Sequence, residues 1–314
     1  MTFGERTIAL GTMGFGTTID ERASFTLLDR FVERGGTVLD TANNYAFWNP
    51  KGSGDESETT LGRWFFSRRV RDQLIVGTKC GARPAFPGGG LKDAEGLSEQ
   101  VVRSALDDSL RRMHIDHIDV FWAHVEDRTV PLAETVGALA TVVESGKARA
   151  LGLSNHPVWR AERARALAGD RPRCTNLQYR YSYLQPRGDL PLPASSHVHV
   201  TPELLDFART EPDLRLWVYS SLLSGAYTRE DVELPAAYDH PGTPPRLTVL
   251  REVARELGVT ENQVVLSWLL DHDPAVVPIV GVSRVEQVDE AMDALRIRLE
   301  PDQRRRLDEA GTQL

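Results

Sequence analysis

Eight short apolar runs, each followed by a loop and then by a stretch with helical spacing, constrain this chain more than any other feature. They are Thr7–Leu10, Thr37–Asp40, Leu74–Lys79, His117–Trp122, Ala148–Leu153, Thr175–Gln178, Leu216–Tyr219 and Val276–Val280. Strand and helix signals in strict alternation mark parallel βα units, because parallel neighbours need a crossover that lays a helix over the sheet. In Ser98–Met113, Val101, Val102, Ala105, Leu106 and Leu110 recur at helical spacing behind Ser98, a natural N-cap. Thr260–Leu270 and Pro301–Leu307 read as further helices. With no linker-like composition anywhere in 314 residues, the eight units predict an α/β fold: one TIM-type (β/α)8 barrel in a single domain over residues 1–314.

In such a barrel the functional side chains lie at the carboxyl ends of the strands and in the loops that follow. The second run ends on Asp40 and passes directly to Tyr45, the third closes on Lys79, and His124 follows the fourth. Each alone has an ordinary explanation as a turn former, rim packing, a surface lysine or a loop histidine. Together their chemistry interlocks. A phenol of pKa ~10 is a weak acid at neutral pH. A neighbouring ammonium favours the phenolate and is expected to lower that value, while a carboxylate keeps the ammonium charged and aimed. An imidazole can align a carbonyl oxygen with the phenol. The set reads as a proton donor for a carbonyl group.

The motifs "LDTANNY", "GDESETTLG", "VGTKCG", "DVFWAHVED", "GLSN", "NLQY" and "YSSLLSG" follow one another in this order. With them the chain resembles the aldo-keto reductase superfamily from about Ile8 to about Ala291. The resemblance implies a barrel that binds NADPH in extended form, with Tyr45 as proton donor, Lys79 and Asp40 tuning it and His124 orienting the substrate. It implies that Ser154, Asn155 and Gln178 hold the nicotinamide carboxamide and that Tyr219 stacks on the ring. Ser220, Leu222 and Gly225 would line the pyrophosphate path. In "PIVGVSRVEQVDEA" it points to Ser283 and Arg284 as ligands of the 2'-phosphate, with Gln287 and Glu290 in the same adenosine segment. Gln287 stands where many members carry a second arginine, so Arg284 alone supplies the charged clamp; NADPH is expected over NADH. Only six residues precede Thr7, which leaves little for the hairpin that plugs the barrel bottom in many relatives.

Phe47, Trp48, Trp122 and Val125 are expected to give the substrate pocket an aromatic, apolar wall. Three segments on the same face, Gly81–Gly96, Arg180–Val200 and Ala237–Pro245, are expected lids. A hydrophobic content of 41% with 26% charged residues excludes a disordered chain, and a net charge of -8 argues against a nucleic-acid partner. No window offers about 18 uninterrupted apolar residues, so the expectation is a cytoplasmic protein without a membrane partner, acting on a small carbonyl compound. Two cysteines, Cys80 and Cys174, are too few for a disulfide framework or a cysteine-rich metal site, and the proposed chemistry needs no metal. Two other classes compete. A noncatalytic nucleotide-binding subunit or redox sensor would keep "GLSN" and Arg284 without needing the four-residue set. A barrel glycosidase would pair Asp40 with Glu126 but leaves Lys79 unexplained.

Overall fold

The computed structural model describes residue 4 and residues 6–50, 52–192 and 196–311. Eight parallel strands close into a barrel in sequence order: β1 (Ala9–Gly11), β2 (Val38–Asp40), β3 (Ile75–Cys80), β4 (Ile118–Ala123), β5 (Ala148–Ser154), β6 (Cys174–Arg180), β7 (Arg215–Tyr219) and β8 (Val276–Gly281), with β8 pairing back onto β1. All eight expected runs are strands, shifted by one or two residues at their ends. The helices at Glu99–Met113, Glu261–Leu270 and Pro301–Glu309 match the three expected ones. Ser98 caps the first by accepting from the Val101 amide. Thr260 and Gln263 form a reciprocal capping box on the second.

Most of the core lies between strands and helices. The barrel interior holds a separate small cluster of Ala9, Val38, Val120, Trp122, Trp217, Val277 and Ile279. Trp122 meets Trp217 edge to face, their ring centroids 5.4 Å apart. The space it fills explains two glycines: a Cβ at Gly152 would lie 2.1 Å from the Trp122 ring, and one at Gly77 would lie 2.9 Å from its Nε1. This corrects the expectation for Trp122. It is wholly buried beneath the rim as barrel filling, not part of the pocket wall. After Asp119, strand β4 runs Val120, Phe121, Trp122 and Ala123, apolar on both faces, so its pattern does not reveal which rings turn inward.

Of the three expected lids, two reach the mouth of the barrel. Leu91 of the first and His197 of the second line the cleft there. Residues 193–195 of the second lie outside the described residues. The third is not a lid. Ala237 and Tyr238 are buried, and Thr243 begins the helix Thr243–Leu257. Among the described residues no helix is long and apolar enough to cross a membrane.

Candidate active site

The carboxyl ends of the strands surround a cleft of about 820 Å³. At its inner end stand Asp40, Tyr45, Lys79 and His124. Lys79 Nζ donates to Asp40 Oδ2 at 2.7 Å, to the Thr41 carbonyl at 2.8 Å and to the Tyr45 hydroxyl at 2.6 Å. The Tyr45 hydroxyl in turn donates to Asp40 Oδ2 at 2.8 Å. The other carboxylate oxygen, Oδ1, accepts from Gln178 Nε2 at 2.9 Å. Lys79 and Asp40 have 0% and 1% of their side chains exposed. An ion pair so deeply buried persists only when its remaining donors and acceptors are satisfied, and here they are.

The electrostatics of Tyr45 differ from the expected lowering. Burial raises its pKa well above the ordinary phenol value, and the Asp40 carboxylate raises it further by charge and by accepting its proton. The adjacent ammonium does not reverse that direction, because Asp40 shares the same site and offsets its charge. The resting hydroxyl is therefore firmly protonated. Burial lowers Lys79, and Asp40 opposes that shift. His124 is held well below its ordinary value by burial, with Lys79 and His197 adding to the effect, so it is neutral at pH 7. Its ring lies edge-on to Tyr45 with centroids 6.1 Å apart, and its Nδ1 is buried without a partner.

Beyond this cluster the cleft passes Ser154, Asn155, Gln178 and Tyr219. Asn155 follows β5 with φ 56°. Its amide donates to Ser154 Oγ and the His124 carbonyl, and its Oδ1 accepts from Tyr219 and from the Val198 amide. Ser154 Oγ donates to the Gln178 carbonyl. The wall continues along Ser220, Leu222 and Gly225, where Ser220, Leu223 and Ser224 all have positive φ. Four non-glycine residues in the left-handed region, all around one cleft, hold strain of the kind that concentrates at functional sites.

The far end is formed by Ser283, Arg284, Gln287 and Glu290. Gln287 Oε1 accepts from the Ser283 amide and hydroxyl and from the Arg284 amide, which stiffens the start of the helix Val285–Asp293. Glu290 accepts from Thr260 and Asn262. Phe47, Trp48 and Val125 line the inner mouth; Phe47 and Trp48 are in edge contact, and Trp48 is 57% exposed. Sequence reading missed Met13, Asn44 and His197, which also line the cleft. It also missed Arg180, whose guanidinium donates to Ser220. "HVH" within the second lid is the one local signal that could have found His197. Glu126, the glycosidase reading's second carboxylate, pairs with Arg128 and Arg160 and is not among the cleft residues.

A closed (β/α)8 barrel with a strained cleft at the carboxyl ends of its strands defines a barrel enzyme with its site in the usual position for that fold. The aldo/keto reductase family model matches residues 7–312. The uncharacterized oxidoreductase YrpG of Bacillus subtilis is 30% identical over 94% of this chain and 89% of its own length. Norsolorinic acid reductase stcV of Emericella nidulans and the aryl-alcohol dehydrogenase [NADP(+)] of Phanerodontia chrysosporium are each 29% identical. Both alignments cover 94% of this chain, with 76% and 80% of those proteins. The crystal structure of a thermostable aldo-keto reductase in complex with the inhibitor epalrestat has the same fold, with TM-score 0.75 at 24% identity over 98% of this chain and 95% of that one. The chain belongs to the aldo/keto reductase family. It is an NAD(P)H-dependent oxidoreductase, a class that reduces small-molecule carbonyl compounds.

Proposed function

We propose that this enzyme reduces an aromatic aldehyde or ketone to the alcohol with NADPH, reversibly, and that Tyr45 gives the proton. The observation that carries the reading is the Asp40–Lys79–Tyr45 cluster opening onto the cleft beside His124. Bound NADPH would supply the hydride. Tyr45 is already in the protonated state that reduction needs. As its proton passes to the carbonyl oxygen, negative charge grows on a phenol oxygen 2.6 Å from Lys79 Nζ. In this dry site a fixed ammonium at that distance stabilises the developing charge far more than water would. Asp40 keeps the ammonium oriented. Neutral His124 offers an uncharged hydrogen bond to the same carbonyl oxygen.

The residues fit a dinucleotide in extended form. Amide and hydroxyl groups gather near the proton donor, the strained turn over residues 220–225 lines the middle, and Arg284 stands exposed at the far end. Ser154, Asn155 and Gln178 would hold the carboxamide. Arg284 would clamp the 2'-phosphate, with Gln287 shaping its loop without touching the phosphate itself. Phe47 and Trp48 favour an aromatic substrate, in keeping with a relative that bears the name aryl-alcohol dehydrogenase. The test is NADPH consumption with a panel of aromatic and aliphatic aldehydes, diketones and keto-sugars. Turnover of aromatic carbonyls ahead of the rest supports the proposal. Oxidation of one equivalent of NADPH with no further turnover on any carbonyl would favour the redox-sensor reading instead.

A further inference from the structure

Arg180 ends β6, two residues beyond Gln178, and is paired in register with Tyr219 of β7. Alternation along a strand gives Arg180 the same face as Gln178, the inner face of the barrel, and as the last residue of β6 it stands at the carboxyl end of that face. It is only 6% exposed. Its Nη1 donates to Ser220 Oγ at 2.9 Å and its Nε to the Tyr238 hydroxyl at 3.1 Å, and its guanidinium lies 5.9 Å from the centre of the Tyr238 ring. Both acceptors are neutral. Among the described residues no carboxylate lies within 4.0 Å of this guanidinium. Among the described residues the other deeply buried arginine, Arg165, shows what structural burial looks like here. It is 3% exposed and held by both Glu211 and Asp213.

A buried cation without an anion is costly to the folded protein, and a cation kept so close to a binding cleft is suited to a charge that arrives with the ligand. Ser220, its acceptor, lines the cleft with a left-handed backbone at φ 55°, so the guanidinium fixes a strained residue that a ligand would touch. We infer that Arg180 is a positioning residue for an anionic ligand group, the diphosphate bridge of the dinucleotide, acting through Ser220 and through its unneutralised charge. The inference rests on the dinucleotide reading above. It gives this chain two separate cationic determinants, an exposed one at Arg284 for the terminal phosphate and a buried one at Arg180 for the bridge.

The experiment measures dissociation constants on the full chain for NADPH, NADH, ADP-ribose, which keeps the diphosphate, and 2'-AMP, which lacks it. Arg180→Gln should weaken NADPH, NADH and ADP-ribose by a common factor of about ten to a hundred, the scale of a lost interaction between a cation and a phosphate, and leave 2'-AMP unchanged. Arg180→Lys should recover part of that loss. Ser220→Ala, which keeps the cation, should show the same pattern at a few-fold. A purely structural role predicts equal weakening of 2'-AMP and ADP-ribose in the Gln variant, and that result overturns the inference. Unchanged ADP-ribose binding in both Arg180 variants overturns it as well. A wild-type protein that binds 2'-AMP and ADP-ribose equally weakly, and neither NADPH nor NADH, would remove the dinucleotide reading together with this one.

Discussion

At the inner end of the cleft Lys79 and Asp40 are sealed from solvent and satisfied, beyond each other, by four hydrogen bonds to three residues, whereas at the outer end Ser283 and Arg284 stand exposed on a turn held by Gln287. The inner charges act at low effective dielectric and cannot reorganise, so each one changes the protonation behaviour of its neighbours. The outer arginine is hydrated, and no ion pair holds it among the described residues. It can supply affinity and selectivity without altering the fold. One end is built for chemistry on a proton, the other for recognition of a charge.

The sharpest break in this contrast is Lys79→Met. It leaves the Asp40 carboxylate buried and unpaired, and the expected loss is about 3–5 kcal/mol of stability together with most of the activity. Urea unfolding should show it, and adding Asp40→Asn should recover part of the stability. An equally stable single variant would mean that the pair is less isolated from water than its burial indicates. Tyr45→Phe removes no charge but takes one hydrogen-bond partner from both Lys79 and Asp40, so it should cost less stability than Lys79→Met. Its turnover with a carbonyl substrate should fall by roughly a hundredfold or more while NADPH affinity holds; near-normal steady-state rates would take the proton-donor role away from Tyr45.

Arg284→Ala tests the outer end. NADPH binding should weaken by about 1.5 kcal/mol, roughly tenfold, with NADH nearly unaffected and melting temperature unchanged. Equal weakening of both cofactors would show that Arg284 does not read the 2'-phosphate. His156 belongs to the buried side of the comparison. Its Nδ1 lies 2.8 Å from the Ser154 carbonyl and burial pulls its pKa down from 6.5 to about 4. The unfolded chain takes up a proton below about pH 6.5 that the folded one refuses, so this histidine favours folding above pH 6.5 and that contribution is lost as pH falls toward 4. The slope is about 1.4 kcal/mol per pH unit, and His156→Gln should flatten the pH dependence of stability in that window. The smallest effect is expected for exposed Trp48→Ala, a few-fold rise in KM for aromatic substrates with little change in kcat. A fall in kcat instead would put Trp48 in contact with the reacting group.

Much of this was legible in the sequence because a parallel barrel writes itself as a regular alternation, and because strand ends are the positions that face the mouth. Asp40, Lys79 and His124 follow from that rule alone. Trp122 did not, because the run "VFWA" is apolar on both faces of β4 and does not tell an inward ring from an outward one. The lowered phenol expected at Tyr45 failed for a related reason. The sequence sets a lysine near a tyrosine, but only the folded geometry shows Asp40 Oδ2 shared between them and the hydroxyl donating its proton to it.

What the sequence by itself determined is therefore the repeat of eight βα units and the chemical types standing at the strand ends, since both depend on local periodicity and residue identity. Burial and charge balance were decided only by the tertiary structure. Arg165 lies in the helix Val158–Ala168 and Arg180 ends β6; both are buried in the folded chain, and the first is answered by two carboxylates while the second is answered by none among the described residues. That difference depends on which residues distant in sequence arrive within a few ångströms, and a charge has no fixed meaning until its partners and its distance from water are set.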